Sequence, residues 1–373
     1  MAAPSCLRRV GYYTNWSQYR HPGGKFLPSD LDPSLCTHII YAFANLVNNE
    51  LVASEWNDET SHYEQVTNLK QRNKELKVLL AVGGWNVGSE PFTAMVATER
   101  SRAHFIRTSI QFLRQRNFDG LDLDWEYPAD RGSPPEDRDR FTVLVQELRA
   151  AFNAEGSQTN QPALLLTAAV AAGKSRIDNA YDIPALSAEL DFINLMTYDF
   201  HGGWENVTGH NSPLYAGDHE SGDQRQLNMG WAAKYWVTNG CPPSKLVVGL
   251  PLYGRSFTLT TEKTTVGSPA SPGQSSPFTR EDGYASYYEV CKMLHSDGAQ
   301  SNFLEDQRVP YLVLGTQWIG YDNPKSLKEK VSYVRSQGYG GIMVWAIDLD
   351  DFRGSENVEP YPLLTTIKEE CQL

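Results

Sequence analysis

No stretch of this sequence stays apolar long enough to cross a bilayer. The longest candidate, Leu164 to Ala172, falls well short of the roughly 18 residues a span needs and contains a Thr, so no membrane partner is expected. Basic residues are the minority, 33 Lys and Arg against 45 Asp and Glu, giving a net charge of -12. That field repels nucleic acid and anionic lipid, which leaves a neutral or cationic partner. Cysteine is scarce too. Cys6, Cys36, Cys241, Cys291 and Cys371 are odd in number, widely spread and without metal-ligand spacing. No metal and no organic cofactor is expected, and buried, inert thiols are the expectation for most of them. Solenoid-spaced repeats and low-complexity tracts are missing. The opening residues, Met1 to Cys6, have neither the basic head nor the apolar stretch of a secretory signal.

What the chain does have is length and aromatic side chains. Its 373 residues suffice for an α/β barrel carrying an insertion, and 11% are aromatic, with nine Trp. Trp residues outside apolar runs suit stacking on the flat faces of sugars. Apolar runs alternate with helix-like segments. Strands are predicted at Arg9 to Tyr13, His38 to Leu46, Leu76 to Gly83, Phe118 to Trp125, Ala163 to Val170, Asp191 to Tyr198, Lys245 to Tyr253 and Gly341 to Ile347. Most lack strict alternation, as parallel strands covered on both faces do. Amphipathic helices are predicted at Ser101 to Arg116, Arg138 to Ala154, Gly230 to Thr238 and Ser326 to Gln337. Eight strands alternating with helices predict a (β/α)8 TIM barrel, whose active sites lie at the C-terminal strand ends.

One interval breaks that rhythm. The roughly ninety residues between the seventh and eighth strands are too many for a structureless loop. They predict a small α+β insertion that walls one side of a cleft, with Gly267 to Pro277 as an exposed loop. The barrel then comprises residues 1–254 and 322–373, and the insertion residues 255–321.

The most informative stretch is Phe118-Asp119-Gly120-Leu121-Asp122-Leu123-Asp124-Trp125-Glu126-Tyr127-Pro128. In a strand, period two places Asp122, Asp124 and Glu126 on one face and Leu121, Leu123 and Trp125 on the other. Carboxylates this close cannot all ionise, so one holds a proton near neutral pH and can serve as an acid. Glu126, nearest the open strand end, is the candidate.

The spacing Asp119-x-x-Asp122-x-Asp124-x-Glu126 resembles the DxxDxDxE signature of family 18 glycoside hydrolases, the chitinases and their lectin-like relatives. Supporting stretches follow in the family's order: Tyr12-Tyr13-Thr14-Asn15-Trp16, Gly83-Gly84-Trp85-Asn86, Met196-Thr197-Tyr198-Asp199-Phe200-His201-Gly202, Tyr253-Gly254-Arg255-Ser256-Phe257 and Met343-Val344-Trp345-Ala346. The likeness runs from about Val10 to Leu364 and is strongest to animal chitinases of chitotriosidase type.

The resemblance implies a substrate-assisted exception to the usual two-carboxylate scheme, in which the sugar's own acetamide oxygen is the nucleophile. Glu126 is then the acid and base, Asp124 orients the acetamide, Asp122 shares a proton with Asp124, and Tyr198 donates to the acetamide carbonyl. It further implies that Asp199 and Arg255 contact sugar near the scissile bond, that Trp345 forms the floor with a cis peptide after it, and that Met196 lines the site. Tyr12, Tyr13, Trp16, Trp85, Asn86, Trp204 and Tyr253 are expected along the groove, with Trp56, Trp231, Trp236 and Trp318 left to packing.

The implied activity is hydrolysis of β-1,4 links in chitin, by a monomer more suited to endo than exo attack. A lectin-like binder of chitooligosaccharides is the alternative, and a hydrolase of N-glycan cores a narrower rival. Binders of this family carry a non-acid where this chain has Glu126. The sequence also departs from its relatives. Cys36 matches one half of a family disulfide, but Gly11 stands at the other half, and Cys6 lies several residues upstream. Cys291 matches half of a second, with no partner in Phe352 to Glu356. Few or no such disulfides are therefore expected. A polymeric substrate still favours secretion, with any leader already removed and Asn206 as the N-glycan acceptor, whereas Asn15 is expected to stay bare in the cleft. No Cys-rich chitin-binding module follows the barrel in this sequence.

Overall fold

The computed structural model describes residues 7–356 and 359–373. Eight parallel strands are present: β1 (Arg8–Thr14), β2 (His38–Val47), β3 (Lys77–Gly83), β4 (Gly120–Asp124), β5 (Leu165–Val170), β6 (Phe192–Leu195), β7 (Leu246–Pro251) and β8 (Gly341–Trp345). Each pairs with the next, and β8 pairs with β1, so the sheet closes on itself as a TIM barrel. A short antiparallel strand, Glu50–Ala53, folds back on β2.

β4 shows why the chain folds this way. Leu121 and Leu123 are buried on its outer face, and Trp125 just beyond it stacks on Phe92 at 5.1 Å and meets Phe141 edge-on at 5.8 Å. Those two rings belong to the helices Glu90–Val96 and Asp137–Thr159, which cover the barrel there. The acids Asp122 and Asp124 point the other way, into the barrel, and both are buried.

Helices Glu99–Gln115, Asp137–Thr159, Met229–Thr238 and Pro324–Ser336 stand where amphipathic periodicity predicts them. Short ones such as Lys174–Ala180 and Ile183–Glu189 offer too few turns for a periodic signal, although Asp182 caps the latter by accepting from Ala185 N–H.

Between β7 and β8 the chain builds a second sheet. Strand Tyr253–Leu259 pairs with Ala270–Pro272, Tyr284–Ser286 and Gln317–Gly320, and Val309–Leu314 and Gln300–Leu304 continue it. Helix Tyr287–Leu294 packs beside it. Its own small core gathers Phe257, Leu259, Ala270, Tyr311, Val313 and Trp318. The expected loop at 267–277 is only partly that: Ala270–Pro272 forms an edge strand because the backbone of Tyr253–Leu259 leaves ladder groups for it to satisfy.

Among the described residues no helix is long and apolar enough to cross a membrane. Cys36 and Cys241 are buried free thiols, and Cys291 and Cys371 are also buried. Cys6 lies outside the described residues.

Candidate active site

The acids of the signature occupy three depths. Asp119 is at the barrel's N-terminal end, where Oδ2 accepts from Val78 N–H at 2.7 Å and pairs with Lys70 at 3.2 Å; it ties β4 to β3. Asp122 sits inside the barrel with three donors on it: Tyr12 hydroxyl at 2.6 Å, Thr167 hydroxyl at 2.5 Å and the Asn194 amide at 3.3 Å. Burial raises its pKa and those donors oppose the rise. Asp124 lies above it. Its backbone oxygen accepts from Gly84 N–H at 2.8 Å, an approach that requires Gly83, where a Cβ would lie 2.1 Å from that oxygen and φ is +115°. The Asp124 side chain is buried, and its Oδ1 has no hydrogen-bond partner among the described residues. Burial, then Glu126, then Asp122 push its pKa well up.

Glu126 falls beyond β4 rather than on it, because the strand ends at Asp124 and the chain turns at a cis Glu126–Tyr127 peptide. It remains next to Asp124 electrostatically, and it is only half-buried. Burial lifts its pKa to about 7, with Asp199 raising it and a hydrogen bond from Tyr127, Arg131 and Arg176 lowering it. A carboxyl that is half protonated at neutral pH and borders open space can both give and take a proton.

The floor is aromatic. Trp345, followed by a cis peptide, lies 5.3 Å from the Tyr12 ring, 6.1 Å from Trp16 and 5.8 Å from Phe43 in a near-stacked arrangement. Phe43 also stacks on Trp16 at 5.8 Å. Among the described residues the Tyr198 hydroxyl finds only the Met343 sulfur, at 3.7 Å, a poor acceptor that leaves its proton available. Burial and the Asp124 charge hold that phenol protonated.

On the insertion side, Asp199 Oδ1 accepts from Tyr253 hydroxyl and from Arg255 Nε, each at 2.8 Å, while Asn211 fixes the Asp199 backbone at 2.9 Å. Arg255 also reaches Glu281 at 3.7 Å. Trp204 is 61% exposed beneath the Arg255 guanidinium, and Trp85, Asn86 and Trp16 are exposed, while Met196 is half-buried. These rings can stack on a sugar chain.

Four expectations change. Tyr12, placed in the groove wall on sequence grounds, is fully buried because its hydroxyl is committed to Asp122, and Tyr13 is buried against Phe26 and Tyr41. Tyr253 is likewise closed off, stacked on Tyr284 at 4.5 Å. Trp56, expected to pack, is 77% exposed, next in sequence to Glu55, which accepts from the Tyr19 hydroxyl. Trp236 and Trp318 are core.

Sequence reasoning also missed Phe43, hidden in an apolar run, and Arg131 and Arg176, which no motif flags. Asn206 is exposed, and Asn15 is buried with its amide on Ser54 and Asp58.

A family profile described as "Glycosyl hydrolases family 18" matches residues 8–350. The chain is 47% identical to Chitotriosidase-1 of Mus musculus over 99% of its own length and 79% of that protein's. It is 45% identical to Chitinase-3-like protein 2 of Homo sapiens, covering 98% and 92%. Among solved structures it superposes on an immunomodulatory active chitinase from Trichuris suis with a TM-score of 0.94, at 42% identity over 97% of this chain and 99% of that one. It superposes equally well on human YKL-39, described as a pseudo-chitinase with retained chitooligosaccharide binding, with a TM-score of 0.93 at 45% identity over 98% and 99%.

Proposed function

We propose that this chain, which belongs to glycosyl hydrolase family 18, is a secreted, endo-acting chitinase that works as a monomer. Its substrate is chitin and its β-1,4-linked N-acetylglucosamine oligosaccharides, and the product keeps its anomeric configuration. Glu126 protonates the departing glycosidic oxygen while the acetamide oxygen of the sugar over Trp345 attacks the anomeric carbon. An oxazolinium ion forms. The Glu126 carboxylate then takes a proton from the water that opens it.

The carrying observation is the pair Asp124 and Glu126: a buried carboxylate oxygen without a partner, beside a half-buried acid held at about 7. The unpartnered oxygen is suited to the acetamide N–H, and Tyr198 to the acetamide carbonyl, so the nucleophile is held in line. Trp16, Trp85 and Trp204, with the exposed Trp56, extend the stacking surface for a polymer. Asn206 is the proposed glycan site.

The binder reading has support of its own, because a relative of equal similarity is described as a pseudo-chitinase. Dye release from a chitotriose glycoside separates the two. Turnover is expected from the unaltered protein, with a loss of about 10²- to 10⁴-fold in Glu126→Gln, the usual scale for removing a general acid. An inactive unaltered protein that still binds chitooligosaccharides would establish the binder instead.

A further inference from the structure

Two exposed arginines, one from a loop and one from a helix, converge on the segment that carries Glu126. Arg131 donates from Nη1 to the backbone oxygen of Glu126 itself at 3.0 Å and to that of Trp85 at 2.9 Å, and its guanidinium lies 3.6 Å from the Trp85 ring centroid. Arg176, from the helix Lys174–Ala180, donates to Asp130 Oδ2 at 2.9 Å and sits 5.0 Å from the Tyr127 ring. The same segment is held from within by Ser89, whose hydroxyl bonds the Tyr127 and Asp130 backbone oxygens at 3.1 and 3.0 Å.

We propose that Arg131 and Arg176 are positioning residues for the acid: a cationic brace that fixes the backbone under Glu126 and holds compensating charge beside its carboxyl. The proposal rests on the hydrolase reading above for its catalytic meaning.

Fold stability is a poor reason for this arrangement. The Arg176 and Asp130 side chains are 46% and 39% exposed, and an ion pair that open is worth at most about 1 kcal/mol. Charge balance is a better one. The carboxyls acting on Glu126 are Asp124 and Asp199, the neighbouring Tyr127, Tyr181 and Tyr198 are phenols held protonated, and the influences that favour its carboxylate are a hydrogen bond from Tyr127 and the cations Arg131 and Arg176. In a chain of net charge -12, these two arginines are the positive charges in that set that help keep the carboxylate accessible for the second half of the reaction.

The test is direct titration of Glu126 by NMR in protein labelled with ¹³C at glutamate side chains, assigned by difference against Glu126→Gln, alongside the pH profile of kcat/KM. Arg131→Gln and Arg176→Gln should each raise the Glu126 midpoint by roughly half a pH unit, as expected for losing a unit charge several ångströms away in a wet environment. The alkaline limb of the activity profile should move with it. Lysine at either position should restore the midpoint, because the charge is kept. Unmoved midpoints in both glutamine variants overturn the brace, even if thermal stability falls. Should Arg131→Gln fail to fold, Arg176→Gln alone decides. The NMR midpoints are read whether or not the protein turns over substrate, so an inactive enzyme defeats the hydrolase reading without obscuring this one.

Discussion

Replacing Glu126 by Gln keeps the side chain's shape and removes a carboxyl that burial lifts from 4.5 to about 7. A carboxyl whose folded pKa is raised binds its proton more tightly in the native state than in the unfolded chain. It therefore costs nothing well below 4.5, becomes destabilising as pH rises from 4.5 through 7, and reaches its full cost above 7. At about 1.4 kcal/mol per pH unit, that full cost is about 3 kcal/mol. Gln carries no such dependence. The stability of Glu126→Gln relative to the unaltered protein should consequently grow by about 2 to 3 kcal/mol between pH 5 and pH 8. With a urea m-value of about 3 kcal/mol/M, the difference in midpoints should widen by nearly 1 M over that range. Urea unfolding followed by tryptophan fluorescence at both pH values measures it. The titration belongs to the Asp124–Glu126 pair, so intermediate pH values will trace a pair-wise curve rather than one residue's. A difference that stays constant with pH, or shrinks toward pH 8, would show that Glu126 is an ordinary surface carboxyl and remove the basis for its role as acid.

Two further changes probe the scaffold. Lys330 and Asp322 pair at 2.8 Å with both side chains at 0% exposure, and Lys330 also donates to the Ser212 backbone oxygen. Lys330→Met should cost about 3 to 5 kcal/mol by stranding the Asp322 charge, and adding Asp322→Leu should recover much of it; a single variant as stable as the parent in urea refutes that account. At Gly11 a Cβ would stand 2.9 Å from the Cys36 sulfur and 2.7 Å from Ile347 Cδ1. Gly11→Cys should close a disulfide worth about 3 kcal/mol, less the cost of displacing Ile347, read as failure of both thiols to react with a thiol reagent after unfolding. If Ile347 does not yield, the thiols react and the variant is less stable than its parent.

Much of this was legible because the barrel's inside and outside write different patterns. Leu121, Leu123 and Trp125 lie outward against helices and Asp122 and Asp124 inward, as period two requires. Glu126 escapes the pattern, since the strand stops at Asp124 and only the fold shows that the next turn keeps the acid beside its neighbour. Tyr12 was misread for a different reason. A strand-end tyrosine looks the same in sequence whether its hydroxyl meets sugar or a buried carboxylate 110 residues away, and here it meets Asp122. Trp56 failed in the opposite sense, because nothing local distinguishes a core indole from one left bare to solvent. Arg131 and Arg176 were invisible: their meaning lies in a loop and a helix converging, which no local spacing records.

The barrel divides its labour along its axis, and that division says where the proton resides. At the N-terminal end Phe192 packs between the His38 ring at 5.1 Å and the Arg8 guanidinium at 5.4 Å, and burial, with Arg8 and Lys77 nearby, drives His38 down to about 3, so that end is plugged by a neutral imidazole. Toward the C-terminal end the interior turns polar. There Asp122 already accepts three hydrogen bonds, two on Oδ1 and one on Oδ2, from donors belonging to β1, β5 and β6. Every one of them favours its charged form. Asp124 has the opposite surroundings, with a carboxylate oxygen that no donor reaches among the described residues and acids on either side. A proton entering this row is therefore held better by Asp124 and Glu126 than by Asp122. The proposed reaction would then draw its proton from the open end, at Glu126, while Asp122 would stay the more charged member of the row.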